Sequence, residues 1–267
     1  MLLATASPPV RADLVGAINE LRAHGCAGKS GAKPPLRAAA SLDDAARRMA
    51  RGSAEREAMS DAGYRAVTWA LIHVSGTAED QAVARLVGER FCDQVAQAAF
   101  RHIGVARRGD ETWIVLAAPF SAPAPGDARA VSRRVLELVN QARARARRCG
   151  RATLAAAAPL KLAPALERAA LAHARDMAAH DYFSHAGRDG STPAARVTRA
   201  GYRWRAAGEN IAAGPPTPEA VMNGWLASPE HCANLMSADY TEMGVAYAVN
   251  PNSASGIYWV QEFAAPR

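Results

Sequence analysis

A chain of 267 residues with 32 basic and 25 acidic side chains carries a net charge of +7 and is long enough for two ordinary domains. Hydrophobic residues make up 49% but aromatics only 6%, which predicts Ala-rich, helix-rich cores of modest size. No apolar run reaches the roughly 18–20 residues that span a bilayer, and no aromatics interleave with the arginines, so neither a transmembrane segment nor a nucleic-acid interface is expected.

In chain order, the opening Met1-Leu2-Leu3-Ala4-Thr5-Ala6 ends like a signal cleavage site but lacks a basic start and a full apolar stretch. It reads equally as the stub of a signal or as a frayed terminus. Leu14, Ala17, Ile18 and Leu21 then form a helical stripe around Asn19, and Val135, Leu138, Val139 and Ala142 repeat it around Asn140. Each stripe runs into a cysteine, Cys26 or Cys149. Pro35-Leu36 and Pro159-Leu160 follow, each ahead of a helix containing Leu-x-x-Ala-Ala, at Leu42 and at Leu166, with Ser41 as the expected N-cap of the first.

Gly63-Tyr64-Arg65 matches Gly201-Tyr202-Arg203, and Thr77-Ala78-Glu79 matches Thr217-Pro218-Glu219 as a capped helix start. Cys92 and Cys232 come next, then Gly-Val-Ala at Gly104 and Gly244. Both copies close on alternating hairpins, Ile103–Ala106 with Thr112–Ala118 and Met243–Val249 with Ile257–Ala264. Each unit thus reads helix, helix, helix, strand, strand. The stretch Ser121-Ala122-Pro123-Ala124-Pro125-Gly126 reads as the linker, which gives domains at 10–120 and 130–267.

Four cysteines at matching points of two repeats suit one staple per domain, Cys26 with Cys92 and Cys149 with Cys232. Sequence alone permits three connectivities, and free thiols are the alternative. Bridges imply an oxidising compartment, so the expected location is secreted or periplasmic. The cluster Arg143, Arg145, Arg147, Arg148 and Arg151 suits either a solvated helix end or contact with an anionic surface.

The second copy carries His173-Ala174-Arg175-Asp176-Met177-Ala178, Tyr182-Phe183-Ser184-His185, Gly208-Glu209-Asn210-Ile211-Ala212, the run Trp225 to Met236 with Ser228-Pro229-Glu230-His231-Cys232, and Tyr258-Trp259-Val260-Gln261. In this it closely resembles bacterial members of the CAP superfamily, which groups cysteine-rich secretory proteins, antigen 5 and plant pathogenesis-related proteins. The resemblance implies an α+β fold of tandem α–β–α sandwich domains, the first shortened, with a cleft holding His185, Glu209 and His231. Ser228 stands where relatives carry a second acid, and Glu230 is nearby.

Two imidazoles and a carboxylate suit a divalent metal such as zinc, with His185, His231 and Glu209 as ligands. They equally suit a structural polar cluster or acid/base chemistry. His173, Asp176 and His180 share one helical face and read as its solvated side. Asn210 is expected to tie a turn, Trp225 and Trp259 to be core, and Glu262 draws no assignment.

The expected function is a secreted binding module for a lipid-like or cell-envelope ligand. The alternatives are a metal-assisted hydrolase acting on envelope peptide or ester bonds, and a structural or adhesive tandem module. Ser184 and Ser228 are the only hydroxyls beside the histidines, and neither sits in a nucleophile elbow. In the first copy fourteen residues, matching Phe183–Arg196, are missing; Leu71 stands for Glu209 and Phe91 for His231. That copy is expected to have the fold without the site.

Overall fold

The computed structural model describes residues 11–31 and 33–267, so the Met1–Ala6 opening lies outside the described residues. The chain divides into two compact units between Phe120 and Ser121. Among the described residues no helix is long and apolar enough to cross a membrane.

In the first unit α1 (Arg11–His24) leads through β1 (Gly25–Cys26), β2 (Lys29–Ser30) and β3 (Arg37–Ala38) to α2 (Ala40–Ala50) and α3 (Glu55–Asp61). Then come β4 (Ala66–Val74), α4 (Asp80–Arg90), α5 (Cys92–Val95) and the hairpin of β5 (His102–Arg108) and β6 (Glu111–Pro119). The main sheet runs β3-β5-β6-β4, antiparallel except where β3 lies beside β5. Period-two alternation in β6 serves two cores. Ile114, Leu116 and Ala118 meet Leu14, Ile18, Val83 and Val87, while Trp113, Val115 and Ala117 meet Leu42, Ala45, Ala46 and Met49 of α2.

In the second unit α6 (Ala128–Arg143), β7 (Arg147–Cys149), β8 (Ala152–Leu154) and β9 (Lys161–Leu162) precede α7 (Pro164–His180) and α8 (Pro193–Arg199). β10 (Trp204–Ala213), α9 (Pro218–Ala227), α10 (Pro229–Met236), β11 (Glu242–Val249) and β12 (Ile257–Pro266) complete it. Its sheet runs β9-β11-β12-β10, again antiparallel apart from the short first strand. Ala170, Ala174 and Met177 of α7 pack on Ile211, Tyr258 and Val260, and α6, α9 and α10 pack on one another and on β10 and β11. The fold class is α+β, as expected, with Trp225 and Trp259 in the core.

Several local features occur in both units. Asn19 donates to the Leu36 carbonyl and accepts from its amide (3.1 and 2.7 Å), and Asn140 does the same with Leu160 (3.0 and 2.8 Å). Arg22 donates to the carbonyls of Pro34, Val95, Gln97 and Phe100. Arg143 donates to those of Ala158, Leu235, Ser237 and Tyr240. Gly104 and Gly244 lie so close under α2 and α7 that a Cβ would fall 2.1 Å from the Leu42 carbonyl carbon or 2.2 Å from that of Leu166. Disulfides join Cys26 to Cys92 and Cys149 to Cys232.

The structure corrects five local expectations. Arg143 is fully buried, so it leaves the solvated arginine cluster: its charge is spent on main-chain carbonyls that would otherwise be orphaned. Arg145, Arg148 and Arg151 are exposed. Ser41 lies inside α2, whose N-cap is Ala39, and Thr77 precedes α4 by three residues, accepting from the Glu79 amide instead of capping the helix. Asn210 belongs to the interior of β10, not to a turn. His173 is only 2% exposed and so is not on a solvated face.

Candidate functional site

β10 is an edge strand, and its residue Glu209 pairs directly with Glu262 on β12. Both carboxyls point to the face covered by α7, because Ile211 and Val260, two residues away along each strand, pack against that helix. The Glu209 side chain is almost completely buried and has both oxygens engaged. Oε1 accepts from His185 Nδ1 at 2.7 Å and Oε2 accepts from Arg196 Nη2 at 2.6 Å. Arg196, itself buried, also donates to the carbonyls of His185 and Ser191, each at 2.9 Å. His173 Nε2 donates to the Ser184 carbonyl at 2.9 Å. One guanidinium and one imidazole thereby fix the segment 184–191 that presents His185.

The electrostatics follow from burial and charge. Burial alone would raise the Glu209 acid, but the His185 hydrogen bond and the Arg196 charge outweigh it and hold the carboxyl below its ordinary value. Glu262 is the reverse case. Burial first and the Glu209 carboxylate second push it well above the usual range, which keeps it a neutral acid. As a carboxylate it would find no donor, whereas as the acid its O–H can serve Glu209. His173 is lowered by burial and by Arg196, and is neutral.

His231, in the first turn of α10, is half-buried, while the His185 side chain is 53% exposed. Burial and the nearby His185 lower the His231 imidazole, partly offset by Glu230. The His231 carbonyl accepts from Asn210 Nδ2 (3.2 Å), which also reaches Gln261 Oε1 (3.3 Å), and Asn234 Nδ2 donates to Asn210 Oδ1 (3.0 Å). The structure therefore joins His185 to Glu209 by a hydrogen bond and holds His231 close enough for the His185 charge to act on it, through the bond from Asn210 to its carbonyl. Ser228 is the hinge between α9 and α10 and its hydroxyl caps neither helix. Glu230 is exposed. Ser184 Oγ accepts from the Ala186 amide. Among the described residues neither serine hydroxyl is hydrogen-bonded to a histidine, and no three His, Cys, Asp or Glu side chains form a ready metal-ligand group.

Sequence reasoning missed Arg196, Glu262, His173 and Gln261. Their common signal is a polar residue at a position where strand alternation or helix periodicity demands an apolar one. The first unit shows what that position otherwise holds. Gly104 pairs with Val115 as Gly244 pairs with Glu262. Across the next strand Leu71 pairs with Val115 and Ile72 with Ile114, where the second unit has Glu209 with Glu262 and Asn210 with Gln261. Four apolar residues occupy the sheet positions of four buried polar ones.

Residues 136–263 match the family described as the cysteine-rich secretory protein family, CAP. "Uncharacterized protein YkwD" of Bacillus subtilis (strain 168) is 31% identical over 140 residues, 52% of this chain and 49% of that protein. The chain thus spans about half the length of this curated relative. Among solved structures, an extracellular protein containing a SCP domain from Bacillus anthracis str. Ames is 20% identical, with 62% of this chain and 67% of that one covered and a TM-score of 0.44. Na-ASP-1 is 11% identical, with 97% and 90% covered and a TM-score of 0.55, a likeness of fold.

Proposed function

Because residues 136–263 belong to the cysteine-rich secretory protein family, we propose that this chain is an extracytoplasmic binding module. Its second unit offers the His185 and His231 cleft to a lipid-like or cell-envelope ligand, and its first unit is a shortened copy without that cleft. Two disulfides support the compartment, since such bridges persist under oxidising conditions. The matching strand orders, Asn and Arg anchors and buried glycines support the copy.

The single observation that carries the reading is the buried pair Glu209 and Glu262. A fold that accepts Leu71 and Val115 at the same register has no structural need for two adjacent carboxyls, and burying them is costly unless they are paired. What the pair does is aim His185. Glu209 accepts a hydrogen bond from Nδ1–H, so Nε2 carries the lone pair, the tautomer that a ligating imidazole uses.

A divalent metal such as zinc fits this donor set through His185 and His231, with Glu209 as the outer carboxylate that orients His185. When bound, such an ion would polarise a carbonyl or phosphoryl oxygen of the ligand. Neither Ser184 nor Ser228 is paired with a base, so a binding role is favoured over covalent catalysis.

The test is thermal unfolding of the whole chain with increasing zinc. Wild type should show a rising midpoint, by mass action, and His185→Ala with His231→Ala should keep the fold while flattening the response. Protonation of the imidazoles should also abolish the response at acid pH. An unchanged zinc response in the double variant would refute the assignment.

A further inference from the structure

Between α7, the loop that follows it and α8 lies a cavity of about 770 Å³, a size suited to a small organic ligand. The walls are Arg168, Ala172 and His173 of α7, Arg188 of the following loop, and Arg196 and Arg199 of α8, with Ala169, Gly187 and Ala200 filling between them. Four arginines face two aspartates, Asp176 and Asp189. Both aspartates are engaged: Asp176 by the Tyr182 hydroxyl and His180, and Asp189 by Ser191 and Arg199. Arg196 is taken by Glu209. Arg188 acts on Asp176 through its charge and its backbone but, like Arg168, forms no ion pair within 4.0 Å among the described residues; Arg168 donates to the Ala200 carbonyl.

Two further observations point to an occupant. His173, 2% exposed, lines the cavity with its Nε2 on the Ser184 carbonyl, and Arg196, 6% exposed, lines it with a buried Nε that has no hydrogen-bond partner among the described residues. A buried polar group on a lining residue asks for a bonding partner from the cavity. The loop between α7 and α8, which supplies Gly187, Arg188, Asp189 and Ser191 to the cavity, is longer than the loop between α2 and α3 of the first unit, whereas α8 has a counterpart in α3 and Arg196 stands where that unit has Ala58. The loop that carries His185 is therefore also a wall of the cavity.

We propose that this cavity binds a small oxyanion, a carboxylate or phosphate group on a short apolar stem. The Arg168 and Arg188 guanidiniums would hold the anion, whose planar or tetrahedral oxygens their forked donors match. Ala169, Ala172 and Ala200 would take the stem. Arg196 is a wall of the cavity on one side and the partner of Glu209 on the other, so an occupant also bears on how His185 is held.

The test uses the full chain, with inorganic phosphate and hexanoate as separate probes, followed by NMR of the backbone amides and the histidine rings. Saturable shifts at residues 168–176 and 187–200, with movement of the His173 ring signal, are expected for at least one probe. Phosphate alone acting would identify a phosphate source, and hexanoate acting more strongly would identify an organic acid. Arg168→Ala with Arg188→Ala, both on the protein surface, should weaken binding at least about tenfold. Ala172→Trp, which fills the cavity and leaves all charges in place, should abolish it and so separates a cavity from surface electrostatics. No saturable shift with either probe, or binding unchanged in Ala172→Trp, would overturn the proposal. Zinc binding at His185 and His231 is measured independently, so either reading can fail alone.

Discussion

At the residue scale, the site is a chain of partners running from neutral Glu262 through ionised Glu209 to Arg196 on one side and His185 on the other. Because burial raises the Glu262 acid, the folded protein keeps that proton to higher pH than the unfolded chain does. Its contribution to stability is fully present below the ordinary value of 4.5 and is lost as pH rises through the raised folded value. Glu209 has the opposite sign, contributing above its ordinary value and losing that contribution as pH falls. Glu262→Gln keeps a neutral donor beside Glu209 without a proton to lose. Thermal midpoints measured against pH should therefore diverge, the variant gaining on wild type steadily toward alkaline pH. Parallel curves would show that Glu262 ionises normally. In the linear sequence Glu262 is marked only as a polar residue among apolar strand neighbours; its register opposite Glu209 is what reveals the pair.

At the element scale, the hairpins and the α7 stripe were legible because apolar residues recur there at periods of two and of three to four, and those periods reflect which face is buried. β10 was not legible. Its centre is Gly208-Glu209-Asn210, residues that weaken a strand signal. Arg143 and His173 were misread for a related reason: periodicity places a residue on a face but does not say whether that face meets backbone carbonyls. The contact between α7 and the sheet depends on Gly244, where a Cβ would lie 2.2 Å from the Glu167 nitrogen. Gly244→Ala should push the helix off β11 and cost about 1–3 kcal/mol in urea unfolding. A cost near zero would mean that the helix rides higher than described. Gly104 stands in the same relation to Leu42 in the first unit.

At the scale of the whole molecule, each unit has its own cores and its own disulfide, closing sequence separations of 66 and 83 residues. In the chain-entropy model each bridge contributes about 4 kcal/mol, which helps units whose cores are rich in alanine. The cysteine pairing was legible because the cysteines recur at matching places. The cavity between α7 and α8 was not, since its arginines are spread over three elements that only the fold brings together.

The most direct test of the central claim, that the buried polar cluster serves the cleft and not the fold, is the triple variant Arg196→Met, Glu209→Leu, Glu262→Val. It writes the register of Leu71 and Val115 into the second unit and removes the guanidinium that would be left unpaired. Replacing a buried ion pair by apolar residues of similar size is often neutral or stabilising. The thermal midpoint without zinc should therefore equal or exceed that of wild type, while the zinc-dependent rise is lost. A variant that unfolds, or one that keeps the full zinc response, would contradict the account.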